Sequence, residues 1–117
     1  MYKSSKKFFR QNPEIAERVD DCVHKLKEAF NPLKVILFGS FARGEIKKAG
    51  TLDFMVIADT DLKFFDRIKK SLEVCKGGFP SIEPLVYTPE EFDLLLSQGE
   101  GFLEDALEEG LVLYNKD

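Results

Sequence analysis

Histidine, cysteine and long apolar runs are scarce in this sequence, and each scarcity narrows what the protein can be. His24 is the single histidine. It falls opposite the apolar stripe of its predicted helix, so it makes a poor metal site. Cys22 and Cys75 are the two cysteines and form no CxxC motif, which indicates buried, reduced thiols rather than a disulfide framework. No apolar run is long enough to cross a membrane, and no secretory leader opens the chain, so we expect a cytoplasmic protein.

The chain is long enough for one domain with a sizeable core. Its 117 residues are 44% hydrophobic and include eleven phenylalanines. A domain of this size buries enough surface to fold without disulfides or metals. We therefore predict a single domain over residues 1–117, of which 1–12 form a basic N-terminal extension. Basic side chains of this extension would share one helical face, which is typical of a solvated surface: Lys3, Lys6, Lys7 and Arg10.

Charge is distributed unevenly along the chain. Residues 1–50 carry 11 Lys and Arg against 6 Asp and Glu, whereas residues 51–117 carry 6 against 15. This asymmetry is compatible with an anionic ligand near the first half and with a metal ion or a basic partner near the second. The overall net charge of −4 argues against general nucleic-acid binding, for which a basic face is the usual footprint.

Hydrophobic periodicity predicts an α/β domain, more closely an α+β one, with a small mixed sheet flanked by helices. Asn12 and Pro13 indicate the start of the first helix, and Thr88 with Pro89 indicates the start of a later one. A helix after Asp61 is expected to bury one apolar face: Phe64, Phe65, Ile68, Leu72 and Cys75. The predicted helices cover 13–30, 89–97 and 102–109, and the strands cover 34–38, 52–58, 82–87 and 111–114. We expect Pro84 to place its strand at an edge or a bulge, and the helices to pack largely on one face of the sheet.

Gly39 and Ser40 follow the first predicted strand and suggest a phosphate-binding turn. Backbone N–H groups and a hydroxyl there would be aimed at one point, and glycine permits close approach of a ligand. The sequence has neither a Gly-Lys-Ser/Thr loop nor a GxGxxG fingerprint, which excludes the common ATPase and dinucleotide-binding loops. We expect Gly39→Val to weaken nucleotide binding more than it weakens folding.

Two carboxylates lie on neighbouring predicted strands. Strand alternation places Thr51 and Asp53 on one face, and Glu83 occurs on a later strand among apolar residues. Buried carboxylates are costly unless a cation accompanies them. Mg²⁺ with a nucleoside triphosphate is one such cation, since it takes oxygen ligands from carboxylates and phosphates together.

These motifs together resemble the minimal nucleotidyltransferases of the DNA polymerase beta superfamily. The family pattern is a strand, Gly-Ser, ten residues, Asp-x-Asp on the next strand and a third acidic residue on a later strand. Here ten residues separate Gly39-Ser40 from Thr51-Leu52-Asp53. Residues 41–44 (FARG) and 88–92 (TPEEF) are also typical of the family. The resemblance covers about residues 14–114 and implies the nucleotidyltransferase fold.

The resemblance implies a role for each matching position. Gly39 and Ser40 would hold the triphosphate, Asp53 would bridge two Mg²⁺ ions, and Glu83 would help to hold the catalytic metal. Thr51 stands where the family has its first metal-binding carboxylate, and its hydroxyl is a neutral, weak ligand. The implied activity is in-line transfer of NMP, AMP in particular, from a nucleoside triphosphate to an acceptor hydroxyl.

Two functional interpretations remain open at this point. The first is an enzyme whose acceptor lies on a partner protein, since minimal nucleotidyltransferases often act as antitoxins of HEPN-domain ribonucleases. The second is a non-catalytic module that keeps the fold and docks on its partner, which Thr51 favours. The last helices offer a candidate partner surface, although core packing explains the same spacing: Phe102, Leu103, Ala106 and Leu107.

Overall fold

The computed structural model describes residues 9–45, 50–99 and 101–116. Most of the predicted basic extension, including Lys3, Lys6 and Lys7, lies outside these ranges. The elements are α1 (Pro13–Phe30), β1 (Lys34–Phe38), α2 (Gly39–Ala42), β2 (Leu52–Ile57), α3 (Phe64–Val74), β3 (Ile82–Tyr87), α4 (Pro89–Ser97), α5 (Gly101–Glu109) and β4 (Leu111–Asn115). Among the described residues, no helix combines the length and apolarity that crossing a bilayer requires.

Helix α1 begins and ends where its flanking residues predict. Pro13 occupies the first turn after Asn12, although the Asn12 side chain makes no capping hydrogen bond. Asn31 adopts a left-handed conformation with φ of +46°, and its N–H donates to Lys27 O at 2.9 Å. Pro32 follows and cannot continue the helix. The chain is thereby turned directly into β1.

The four strands form one mixed sheet in the order β3-β2-β1-β4. Strand β1 pairs antiparallel with both β2 and β4, whereas β2 and β3 are parallel. The small mixed sheet expected from the sequence is therefore present. Strand β3, which carries Pro84, lies at an edge as predicted.

Helices cover both faces of the sheet, so the expectation of helices largely on one face is wrong. One face packs against α1, through buried residues such as Cys22 and Leu26, and against the end of α3. The other packs against α5 through Leu103 and Ala106, with α4 beside it. The physical reason is visible in β2, whose residues 54–57 are all buried. A strand buried on both sides reads as a continuous apolar run rather than an alternating one.

Helix α3 buries only part of the predicted apolar face, of which Cys75 at its end is fully buried. Phe65 is 80% exposed and Leu72 is 44% exposed, whereas Arg67 and Ser71 are buried. The helix starts after Lys63 rather than after Asp61. Arg67 explains why α3 turns this face toward the core. Groups beneath the helix bond its guanidinium and compensate its charge.

Arg67 joins α3, the end of β3 and the start of α4. Its Nε donates to Leu62 O at 2.8 Å, and one terminal nitrogen donates to Val86 O at 3.1 Å. The same nitrogen bonds Glu91 Oε1 at 2.6 Å, and the other bonds Glu91 Oε2 at 3.3 Å. Glu91 also closes a capping box with Thr88, which confirms the predicted start of α4.

The Arg67–Glu91 pair makes stability depend on pH. The hydrogen bond from Arg67 lowers the pKa of Glu91 below its usual 4.5. A depressed carboxyl pKa stabilises the fold above the unfolded-state pKa, and this contribution is lost as pH falls through the folded-state value. Glu91→Gln is expected to lower the free energy of unfolding by about 1 kcal/mol near neutral pH, with the difference shrinking below about pH 4.

Denaturant unfolding of both proteins across the acid range measures this difference. Glu90→Gln is the matched control, because it removes a charge from the same helical turn at an exposed position without touching Arg67. A deficit of Glu91→Gln that stays constant with pH would contradict the assignment.

Candidate active site

The Gly-Ser segment forms a closed helical turn at the end of β1. Gly44, with φ of +80°, ends α2, and Glu45 N–H donates to Ser40 O at 2.9 Å while Gly44 N–H donates to Phe41 O at 3.1 Å. This paired closure is a Schellman motif, which needs glycine at its left-handed position. It holds Gly39 and Ser40 in a fixed position at the end of the sheet.

Gly39 lies against the carboxylate of Asp53. Its φ is +78°, and a Cβ built at this position would overlap Asp53 Oδ2. Glycine is therefore needed for two reasons, the backbone conformation and the approach of the carboxylate. The expectation that Gly39 matters for a ligand more than for folding stays a prediction, and Asp53 beside Gly39 adds a reason for folding to depend on this glycine as well.

The Thr51 hydroxyl donates a hydrogen bond to Asp53 Oδ1 at 2.8 Å. Both side chains lie on the face of β2 that strand alternation predicts. The two oxygens of Asp53 are thus held on different sides, one by Thr51 and the other beside Gly39. In this arrangement Thr51 orients the carboxylate.

Asp53 and Glu83 are direct neighbours on parallel strands, where they are register partners. Partial burial raises the pKa of the Asp53 carboxyl, the Thr51 hydrogen bond opposes this, and the adjacent Glu83 raises it further. Two adjacent carboxylates, one of which disfavours ionisation of Asp53, form a donor set that suits a hard divalent cation. Among the described residues, no group of three or more His, Cys, Asp and Glu is arranged to hold a metal ion.

Arg43 supplies positive charge beside this pair. It is the last residue of the Gly-Ser turn, and it donates to Glu109 Oε2 at 2.9 Å and to Glu45 Oε2 at 3.2 Å. Its charge acts against the upward shift of the Asp53 pKa. The turn therefore brings a cation, held by two acids, close to the carboxylates.

A cleft of about 510 Å³ opens at the carboxylate pair. Asp53 and Glu83 contribute its charge, and its walls are mostly apolar, with residues from β1, α3, β3 and α5: Phe38, Ile68, Leu72, Ile82, Pro84, Leu85 and Phe102. The rings of Phe38 and Phe102 meet edge to face, with centroids 5.8 Å apart. The cleft thus combines a charged end with an apolar wall, which is typical of small-molecule sites.

Comparison with known proteins identifies the family. The family model for polymerase beta nucleotidyltransferases matches residues 20–117. The chain belongs to this family. It is 32% identical over 81 residues to a Methanocaldococcus jannaschii protein named "Putative protein adenylyltransferase", a match that covers 69% of this chain and 77% of the relative. A crystal structure of a mutant of the toxin-antitoxin MntA-HpeT shares 16% identity with a TM-score of 0.49, over 81% of this chain and 72% of that one.

The structure of this nucleotidyltransferase-family chain brings the predicted site residues to one end of the sheet. Gly39 contacts Asp53, Thr51 bonds it, and Glu83 lies beside it, while Ser40 is the next residue of the same turn. Arg43 belongs to the family-typical stretch at residues 41–44, but that pattern alone assigns it no role. The signal in the sequence for such a role was the position of Arg43 in the Gly-Ser turn.

Residues of the apolar walls were also missed. Ile68 and Leu72 had been assigned to the core because their spacing is helical, and they line the cleft instead. The candidate partner surface on α5 likewise consists of buried residues and one residue that lines the cleft. Leu103 and Ala106 are buried, Leu107 is partly buried, and Phe102 is 53% exposed at the cleft.

Gly39→Ala is expected to lower the free energy of unfolding by about 2–4 kcal/mol, from a strained backbone plus overlap with Asp53. In an Asp53→Ala background the overlap disappears, so the same substitution should cost only about 1–2 kcal/mol. Denaturant unfolding of the double-mutant cycle gives both numbers.

Gly77→Ala is the matched control for backbone strain. Gly77 has φ of +81° and no atom within 4 Å of a built Cβ, so only strain is added there. Equal losses for Gly39→Ala with and without the Asp53 carboxylate would show that the two residues are not in contact.

Proposed function

We propose that this chain transfers NMP, AMP in particular, from a Mg²⁺-bound nucleoside triphosphate to a hydroxyl of a partner protein. The observation that carries the proposal is the adjacent Asp53–Glu83 pair beside the Gly39-Ser40 turn, at the charged end of a cleft. Membership of the nucleotidyltransferase family supports the reaction class. We also propose that residues 1–117 act as one domain.

In this proposal each part of the site binds one part of the substrate. Backbone N–H groups of the Gly39-Ser40 turn and the Ser40 hydroxyl hold the triphosphate, and Arg43 adds positive charge at the same end. Asp53 and Glu83 hold Mg²⁺, which when bound neutralises phosphate charge and favours loss of pyrophosphate. Thr51 keeps the Asp53 carboxylate in its orientation.

The remaining residues position the reactants. Phe38 and Phe102 offer an apolar wall beside the carboxylates, against which the nucleotide or the acceptor side chain packs. Placing the two reactants together in a fixed orientation is the main contribution expected of a protein in this chemistry. Glu83 is exposed and so is available to accept the proton of the attacking hydroxyl.

Resemblance to known proteins supports the choice of the acceptor and of adenine as the nucleobase. A relative that is named as a protein adenylyltransferase supports AMP as the transferred group and a protein as the acceptor. The resemblance to minimal nucleotidyltransferases of antitoxin type supports a HEPN-domain protein as the partner. The acidic second half of the chain suits a partner with a basic surface.

A second candidate is a nucleotide-binding module that acts by docking and transfers nothing. Thr51 favours it, because this residue gives Asp53 a hydrogen bond where the family has a metal-binding carboxylate. Two carboxylates and the ligand's phosphates suffice to hold one Mg²⁺ ion. Binding without transfer would then be the native property of the chain.

Titration calorimetry with Mg·ATP, followed by transfer from ATP labelled on its α-phosphate, tests the proposal. The acceptor is the protein that co-purifies with the chain. The unaltered chain should bind Mg·ATP and label the partner only weakly, because Thr51 stands where the family has a metal-binding carboxylate. Asp53→Asn should lower both Mg²⁺-dependent binding and labelling, the latter by about 100-fold or more.

Asp20→Asn is the matched control, because it makes the same chemical change at an exposed position on α1. Binding that needs Asp53, without any label transfer, would select the docking module over the enzyme. Absence of Mg·ATP binding by the unaltered chain would overturn both functions.

A further inference from the structure

Cys22 and Cys75 meet in the interface between α1 and the end of α3. They are 53 positions apart in the chain, and the Cys75 thiol donates to Cys22 O at 3.8 Å. Both side chains are fully buried, and both are free thiols. The two thiols also interact with each other: this contact lowers the pKa of Cys22 and, with burial, raises that of Cys75. The two cysteines, one in α1 and one directly after α3, are therefore in contact across this interface.

Arg18 adds a positive charge to this thiol pair. It lies one helical turn before Cys22, and its guanidinium donates to Cys75 O at 2.7 Å and to Pro80 O at 3.0 Å. A nearby guanidinium favours the thiolate, which is the reactive form of cysteine. Its charge acts in this direction on both thiols.

A surface cleft reaches the same cluster. It has a volume of about 570 Å³ and is lined by Arg18, Gly77 and Phe79, together with acidic side chains of α1. The turn that carries Gly77 follows Cys75 directly. Arg18 thus lines the cleft and contacts Cys75, and local opening of the turn after Cys75 is the route by which the proposal lets a small oxidant reach the buried thiols.

We propose that Cys22 and Cys75 form a reversible intramolecular disulfide when the protein meets a peroxide. The Cys22 thiolate attacks one oxygen of hydrogen peroxide, giving a sulfenic acid and hydroxide. The Cys75 sulfur then displaces the sulfenic oxygen, which leaves as water with the Cys75 proton. In sum, two thiols are oxidised to one disulfide, and one peroxide is reduced to two waters.

The bond would tie α1 to the element that forms a wall of the active-site cleft. Helix α3 contributes Ile68 and Leu72 to that wall, and the turn after Cys75 leads into β3 and Glu83. A cross-link that closes so long a loop restricts the unfolded chain strongly. The inference does not depend on the proposed transferase activity.

Mass spectrometry of the reduced full chain after peroxide treatment tests the proposal. Thiols are alkylated in denaturant, the chain is digested, and the melting temperature is measured in parallel. We expect a Cys22–Cys75 linked peptide in monomeric protein, joint loss of both alkylatable thiols, and a melting temperature higher by roughly 5–15 °C. Dithiothreitol should reverse all three changes.

Cys22→Ala and Cys75→Ala are the controls, each compared with itself before and after peroxide. Neither variant should gain melting temperature on treatment, whatever its starting stability. Separate oxidation of the two cysteines to sulfinic acids would overturn the proposal. So would cross-linked dimers, thiols that stay fully alkylatable, or a linked peptide accompanied by a lower melting temperature.

Discussion

Thr51→Asp is expected to raise magnesium-dependent nucleotidyl transfer by about 10-fold to 100-fold, provided the partner supplies the acceptor. The substitution removes the hydroxyl that bonds Asp53 and places a third carboxylate against Asp53 and Glu83. A charged oxygen donor holds Mg²⁺ more strongly than a neutral hydroxyl. Nucleotide affinity should change less than transfer, because Gly39 and Ser40 are unaltered.

The same variant should lose stability without Mg²⁺ and recover it when Mg²⁺ is added. Three adjacent carboxylates repel one another unless a cation neutralises them, and a bound ion stabilises the folded state by mass action. Melting temperatures with chelator and across a magnesium series measure this, beside label transfer at each concentration. Thr51→Asn matches the size of the new side chain without its charge and should show neither gain. Robust transfer by the unaltered chain, with no increase in Thr51→Asp, would show that Thr51 costs the site nothing.

Arg67→Met is expected to destabilise the protein by about 2–4 kcal/mol and to lower its melting temperature by roughly 10 °C. Methionine fills much of the volume but cannot bond Leu62 O, Val86 O or the Glu91 carboxylate. Two backbone carbonyls lose their donor, and Glu91 loses its charge partner. Denaturant unfolding and thermal melting measure the loss.

Lys69→Met is the matched control for Arg67→Met. Lys69 lies on the same helix at an exposed position, so removing its charge should change stability by no more than about 0.5 kcal/mol. Similar stabilities for the two variants would contradict the role assigned to the buried guanidinium.

Local signals in the sequence were sufficient to predict the helices and strands, but not which face of each helix points toward the core. Strand β1 follows from its β-branched apolar run, and α4 follows from Thr88, Pro89 and Glu91, which form the observed capping box. The inward face of α3 could not be predicted this way, because two partners of the buried Arg67, on β3 and α4, are distant in sequence. Coverage of both sheet faces did have a local signal, the unbroken apolar run at residues 54–57, which an alternating strand would lack.

The sequence predicts which residues form the site better than it predicts the contacts between them. The strand-loop pattern placed Asp53 on its strand, and the resemblance to nucleotidyltransferases predicted that Gly39 and Glu83 would lie near it. The hydrogen bond from Thr51 to Asp53 was not predicted, because the family pattern has a metal-binding carboxylate at the Thr51 position. The apolar walls were missed for another reason: Leu72 is exposed beside a cleft, and a helical apolar pattern does not distinguish that from the core.

The contact of Arg67 with Val86 O also bears on self-association. The β2-facing carbonyls of β3 include those of Ser81 and Tyr87, which accept from Leu52 and Ala58. Backbone groups alternate in direction along a strand, so those of Pro84 and Val86 point away from the sheet. Proline has no N–H to offer there, and Arg67 occupies the Val86 carbonyl. Strand β3 is thus an edge interrupted at two neighbouring outward positions, which makes it a weaker template for an incoming strand than an edge with a complete row of backbone groups.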